Sequence, residues 1–494
     1  MCTVRFSKAK KFSTWRKLKM NDDTLSYEDS MKYLGVTLHK SLRWEPHVHE
    51  RIKKSTKTMN LANAAIGQKW GFNPTRAVWV YTAMARSVST YGAITWSPYV
   101  TNSIKAKLSR LQRKAMLSMT SSMRSTPTTG LEAVLGLQPL DLHAHQLGTS
   151  ARLRTRHSQP DRWDGVGNYM TGHKRLHDNI LDKFCPKTLP IDTLTRQRLW
   201  IEDDEVENPD IVLYTDGSKM ECGTGCGWAA CSGDTVVAEE STYLGNDASV
   251  FQAEIIAISQ GVRWILDNCE NKNVIVYSDS QAALKAIFNA ETTSKVVMDC
   301  KEVLRSAKEN HRIALRWIKG HADHTGNELA DHLAKKGSEM KCDSVHPIVP
   351  VPLSLIKEYI KKHFLMKWQT RWSEEGPRQS KIFYPTIDGR KLKKLSLWSR
   401  NNLNLLVQIG TGHALVAHHI SKWTETEDIC KLCEESHEDT AHLYFRCPAL
   451  ELFRREQSVR TDTKERKLVT FFRHPKLLAL FEFRAYDCTG WSLN

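Results

Sequence analysis

Ile211-Val212-Leu213-Tyr214-Thr215-Asp216-Gly217-Ser218 decides how this chain is read: four apolar, mostly β-forming residues run into a carboxylate and then a Gly-Ser pair. A continuous apolar run of this length suits a buried strand, and the strand end is where an open α/β sheet places its chemistry. Working outward, three more acids fall in comparable settings. They sit in Gln252-Ala253-Glu254, in Ser278-Asp279-Ser280-Gln281, and at the close of Trp317-Ile318-Lys319-Gly320-His321-Ala322-Asp323-His324-Thr325-Gly326-Asn327-Glu328-Leu329-Ala330-Asp331. The intervening pattern predicts a hairpin of 226–231 and 235–244 around Ser232-Gly233-Asp234. A helix over 250–267 follows, packing through Ile255, Ile258, Val262 and Ile265, then a strand at 274–277 and helices to about 309. A strand at 313–318 and a helix over 327–336, closed by Gly337, complete it. The expectation is an α/β domain over 205–342, a mixed sheet with flanking helices.

In that layout Asp216 and Asp279 end strands. Glu254 borders the buried face of its helix, with Ile258 four residues on, and Asp331 lies one turn after Asn327. Four carboxylates brought together repel one another unless cations neutralise them. Magnesium, a hard ion that takes oxygen ligands, is the expected occupant, with manganese able to substitute.

Together these words resemble the type 1 ribonuclease H family. The resemblance implies a ribonuclease H-like fold and an endonuclease that cuts the RNA strand of an RNA–DNA hybrid with two metal ions, leaving 5′ phosphate and 3′ hydroxyl ends. It further implies that Asp216 bridges both ions, Glu254 and Asp279 serve one and Asp331 the other, while His321 assists water activation or product release. Gly217, Ser218, Gln281 and Asn327, with Glu254, match substrate-contacting positions. His324 is expected at the surface or in a supporting role. Two departures stand out: residues 248–253 lack the asparagines that bacterial members carry there, and the segment between Asp279 and His321 is short for an added basic helix.

A chain of 494 residues has room for about three domains. It contains no run of 18 apolar residues, and the start, Met1-Cys2-Thr3-Val4-Arg5-Phe6-Ser7-Lys8, lacks the apolar core of a secretory signal. Twelve thinly spread cysteines argue against a disulfide framework. An intracellular protein without a membrane partner is expected, one that reaches the nucleus at least transiently and is not secreted.

The net charge of +16 is unevenly distributed: residues 1–130 hold 23 lysines and arginines against six acids, leaving 48 against 49 elsewhere. No acid occurs from 51 to 130, while Arg51, Lys53, Lys54, Lys57, Arg110, Arg113 and Lys114 recur on helix-like segments. Such a face suits a phosphate backbone, with binding that weakens steeply in salt. The block to about residue 200 reads as mainly helical after a strand at 32–38. A helix runs from Pro46 to Gly67, another over 75–90, and a third over 104–119 behind Ser103, with Ile104, Leu108, Leu111 and Ala115 on one face.

Tyr33-Leu34-Gly35-Val36, Trp70-Gly71-Phe72-Asn73-Pro74, Tyr91-Gly92, Leu111-Gln112-Arg113 and Leu135-Gly136-Leu137-Gln138-Pro139-Leu140 resemble the thumb or connection-like segment that follows the polymerase site in non-LTR retrotransposon reverse transcriptases. A polymerase needs an aromatic-x-Asp-Asp turn between apolar strands. Asp22-Asp23 and Asp203-Asp204 lie in polar surroundings instead, so no polymerase activity is expected. The resemblance implies a retrotransposon polyprotein fragment, with the remainder of that polyprotein as a partner.

Polar linkers at 202–210 and 343–354, the latter with Pro347, Pro350 and Pro352, bound the central domain. A helical region over 355–494 then carries Cys430-x2-Cys433-x8-His442-x4-Cys447, the spacing of a closed tetrahedral zinc site, with His437 as a competing ligand. It resembles the Cys-Cys-His-Cys motif that follows the ribonuclease H domain in many such polyproteins. The alternatives to a nuclease are a catalytically silent nucleic-acid-binding protein derived from a retrotransposon, or an exonuclease or integrase of the same fold. The intact four acids disfavour the first, and the Gly320 to Asp331 run disfavours the second.

Overall fold

Past the apolar run at 211 the strand does not stop. In the computed structural model β1 spans Ile211–Met220, so Asp216 lies inside a strand rather than at its end. Two partners explain this. The parallel ladder with β4 (Asn273–Ser278) ends at Thr215 opposite Ser278, whereas the antiparallel ladder with β2 (Gly223–Ser232) carries β1 on to Met220 opposite Gly223. Asp216 is therefore the first residue beyond the parallel partner, open on that side and rigid on the other. With β3 (Thr235–Gly245) and β5 (Arg312–Trp317) the sheet has the order β5-β4-β1-β2-β3, parallel in its first half and antiparallel in its second.

The helices are α1 (Val250–Asn268), α2 (Gln281–Phe288), α3 (Lys295–Asn310) and α4 (Thr325–Glu339). Ser249 caps α1 in a reciprocal box with Gln252, which fixes where Glu254 enters. Alternation along β1 sends Leu213 against Gly261 of α1 and Tyr214 against Gly326 of α4, so these helices cover opposite faces. Leu213, Ile258, Val262, Val276 and Leu304 form the larger core. Gly337 does not close α4 as the sequence suggests, because the helix continues to Glu339. Its missing side chain instead lets α4 lie on the sheet, where a Cβ would come within 2.9 Å of the Thr242 carbonyl.

Described are residues 2–3, 19–20, 23–64, 72–152, 208–289, 292–320, 324–340, 349–457, 464–475 and 477. The chain forms two compact units: residues 152–360, which hold the sheet above, and residues 1–151 together with 361–494. The first and last of the three sequence segments thus share one unit. Within it, the strand expected at 32–38 is a hairpin, Ser30–Tyr33 with Val36–His39, turning through Leu34 and Gly35 at φ 45 and 76°. Helices Glu45–Ala64 and Asn102–Thr120 pack together. Thr101, not Ser103, caps the latter, its Oγ1 accepting from Ile104 N at 3.4 Å. The end of the helix expected to reach Gly67 lies outside the described residues.

Long-range polar contacts join the two segments of this unit. Arg400 donates to the Ser118 carbonyl at 2.8 Å, Asn404 to the Ser121 carbonyl at 2.7 Å, and Thr75 to the Ser396 carbonyl at 2.7 Å. Among the described residues no helix is long and apolar enough to cross a membrane.

Candidate active site and metal clusters

β1, α1 and the residue after β4 bring Asp216, Glu254 and Asp279 together, with one carboxylate oxygen of each within 4.8 Å of the others. Glu254 is only 5 % exposed and its Oε2 is buried without a hydrogen-bond partner. Burial, then the neighbouring Asp216 and Asp279, pushes Glu254 up to about 9; burial, then Asp279 and Asp331, pushes Asp216 up to about 6. The Gly217 amide partly offsets both shifts by hydrogen bonding to the charged forms. All donors are carboxylate oxygens and one is an orphan, so the set fits a hard divalent cation such as Mg²⁺.

Asp331, on α4, is near enough for its charge to raise Asp216 but stands outside the close trio. Its Oδ2 accepts from Lys335 Nζ at 2.5 Å. His321 lies outside the described residues. His324 is exposed and precedes α4, its carbonyl accepting from the Asn327 and Glu328 amides. Among the substrate-contact candidates, Gln281 is exposed at the start of α2, Ser218 is half-buried and Gly217 is buried. Asn327 is buried with Oδ1 unpartnered, so its side chain faces the interior.

Sequence reasoning missed three supports. A Cβ on Gly217 would lie 2.7 Å from the Glu254 amide nitrogen, so the glycine lets α1 approach β1 closely at the site. The second support is a pair of residues around Asp279: a Cβ on Gly320 would lie 2.8 Å from Asp279 Oδ2, and Trp317 Nε1 donates to the Asp279 carbonyl at 3.0 Å. Lys335 is the third; its signal was the acid-to-lysine spacing of four on a helix.

In the other unit Cys430, Cys433, His442 and Cys447 offer ligand atoms that all lie within 4.8 Å of one another. Cys430 and Cys447 sulfurs are 4.0 Å apart, and Cys433 Sγ is 3.3 Å from His442 Nε2. A zinc tetrahedron with bonds of about 2.3 Å has S–S edges of about 3.8 Å, so the donor set fits zinc closely. A five-residue turn produces the final pair, the Cys447 amide bonding to the His442 carbonyl at 2.8 Å. Glu438, fully buried, accepts from the Ala417 amide at 3.0 Å and the Lys431 amide at 3.3 Å, which ties the loop to its neighbours. His437 does not compete: it is exposed and pairs with Asp428 at 2.8 Å.

The basic face is narrower than the sequence count suggests. Arg51 stacks 4.3 Å from the Tyr91 ring centroid and donates to the Gly35 carbonyl, and Arg113 donates to the Arg124 and Thr126 carbonyls. Lys54 pairs with Glu50 at 2.8 Å. Lys53, Lys57 and Arg110 are exposed without an ion pair among the described residues, and Lys114 reaches Asn60 across the helix pair.

The family model described as RNase H matches residues 208–339. Ribonuclease H of Janthinobacterium sp. (strain Marseille) is 32% identical over 146 residues, covering 26% of this chain and 96% of the relative. A retrovirus-related Pol polyprotein from type-1 retrotransposable element R1 of Popillia japonica is 25% identical over 228 residues, 45% of this chain and 84% of the relative. The crystal structure of RNase H1 from Halobacterium salinarum NRC-1 aligns with 26% of this chain and 96% of its own at 24% identity and TM-score 0.21.

Proposed function

Through residues 208–339 this chain belongs to the ribonuclease H family, and from that premise we propose that it is a metal-dependent endonuclease cutting the RNA strand of RNA–DNA hybrids within a retrotransposon polyprotein. One observation carries the catalytic part: Asp216, Glu254 and Asp279 converge from three elements with a buried carboxylate oxygen left unpartnered. Without a cation to serve, burying Glu254 this way would be a plain cost to the fold.

Asp216, Glu254 and Asp279 would hold the divalent ions, and Asp331 would complete the set from α4. Bound there, such ions lower the pKa of an attacking water and stabilise the departing 3′ oxygen. The protein's own contribution is geometric. β1 and β4 fix two of the acids on rigid backbone, the capped start of α1 fixes the third, and Gly217 keeps the strand and helix close. Lys53, Lys57, Arg110 and Lys114 offer separate contacts to nucleic-acid phosphates, and the Cys-Cys-His-Cys cluster would hold a structural zinc.

The test is magnesium-dependent cleavage of a hybrid labelled on its RNA strand, comparing the chain with Asp216→Asn. Cleavage that the substitution abolishes, with duplex DNA left intact, is the expected result. A folded protein that binds the hybrid without cutting it would replace this reading with the silent nucleic-acid-binding one.

A further inference from the structure

Three of the four acids close on one another while the fourth is turned to a lysine. Asp331 Oδ2 lies 2.5 Å from Lys335 Nζ, and Asp331 stands outside the group within 4.8 Å. Both belong to α4, four residues apart with the acid nearer the N-terminus, the favourable order for a helical pair. Resting on the nuclease reading above, we propose that Lys335 is a tethered counter-ion to Asp331 that an incoming divalent cation must displace, so that it sets the cation concentration at which this side of the site fills.

The geometry favours this over an ordinary surface pair. Most i,i+4 pairs stand among mixed charges, but this one borders three carboxylates, and the Lys335 charge is felt at Asp216 as well as at Asp331. Lys335 is 46% exposed, so its head can withdraw into water without leaving a buried charge behind. An ammonium binds a carboxylate as a point charge and releases it readily, where a guanidinium would grip with two bonds. Lysine at 335 is thus suited to yield its place, and arginine there would yield it less.

The experiment is Mn²⁺ binding, read from the free-ion electron paramagnetic resonance signal, on the intact zinc-loaded chain at low ionic strength. Wild type is compared with Lys335→Gln, Lys335→Arg, Asp216→Asn and Lys336→Gln, the last removing an exposed neighbouring charge that has no ion pair among the described residues. Lys335→Gln should tighten Mn²⁺ binding by roughly 2- to 5-fold, the range expected for releasing an exposed pair. Lys335→Arg should weaken it and Lys336→Gln should leave it nearly unchanged. Equal tightening in Lys335→Gln and Lys336→Gln would reduce the effect to net charge and overturn the proposal. So would unchanged or weaker binding in Lys335→Gln. Wild type and Asp216→Asn binding Mn²⁺ alike would overturn the metal-site reading itself, and the proposal with it.

Discussion

Arg371 holds Asp141, 230 residues earlier, through two parallel hydrogen bonds, Nη1 to Oδ1 at 2.9 Å and Nη2 to Oδ2 at 2.7 Å. Their side chains are 19% and 14% exposed, so removing one partner leaves the other poorly solvated. Arg371→Met should destabilise this unit by roughly 2 kcal/mol, the scale of a lost hydrogen-bonded charge. Hydrogen exchange should quicken in helices Asn102–Thr120 and Arg400–Thr411 and stay unchanged in β1 to β5. Equal loss of protection over 208–339 would show that the two units do not open independently.

Metal-free protein should lose stability as pH rises. Glu254 and Asp216 have folded pKa values of about 9 and 6, above their ordinary 4.5 and 3.8. Between those limits these two acids hold more protons in the folded state than in the unfolded one, so their contribution to stability is greatest near pH 4 and falls toward pH 9. Glu254→Gln removes the more strongly shifted of the two acids and should raise metal-free stability at pH 8 by on the order of 2 kcal/mol. Millimolar Mg²⁺ should stabilise wild type more at pH 8 than at pH 5, because cation and proton compete for the same oxygens. Thermal unfolding in chelator and in Mg²⁺ across this range checks both signs.

The cysteine cluster should act on the unit built from the chain's two ends. Burial, then the neighbouring Cys430, pushes the Cys447 thiol up to about 12, so a metal binding there must displace its proton. Cys447→Ser should lower zinc content from one ion per chain toward none and speed proteolysis around Ala417 and Gln379, which hydrogen bonds to Glu438 and Thr440 tie to the cluster loop. Elemental analysis with limited proteolysis reads both effects. Hybrid cleavage, which the proposed function assigns to the other unit, should fall far less.

The order of strands and helices over 211–339 was legible because buried β runs and amphipathic helices write different periods into the sequence. Strand ends were less legible. Asp216-Gly217-Ser218 reads locally as a turn, and the hairpin ladder with β2, which pairs these residues with Gly227, Cys226 and Gly225, keeps it extended. Gly337 reads as a helix stop because its use, a close approach to the Thr242 carbonyl, depends on a strand almost a hundred residues away. The three acids drawn together were identified from sequence. Asp331's pairing with Lys335 was missed, because its spacing of four shows that the two can meet on a helix and not that the acid's rotamer takes the lysine instead of joining the trio. Likewise Arg51 and Arg113 count as free charge in a composition, and only the fold turns them to the carbonyls of Gly35 and Thr126.

Gly217 gives the sharpest test of how the site is built. Its neighbour Asp216 faces the other acids, while its own missing side chain lets the Glu254 amide nitrogen and Ala253 Cβ come within 2.7 and 2.8 Å of where a Cβ would stand. Those atoms belong to α1, so Gly217→Ala leaves them no flexible tip to swing aside and must shift strand and helix apart. A displacement near 1 Å moves Glu254 relative to Asp216 and spoils their joint hold on a cation, a misplacement that costs roughly 100-fold in rate. The protein should also lose about 1–3 kcal/mol of stability from overpacking. Cleavage should fall with a raised Mg²⁺ requirement, and excess Mg²⁺ should restore part of it. Full activity at ordinary Mg²⁺ would mean that the β1–α1 contact does not set the carboxylate geometry.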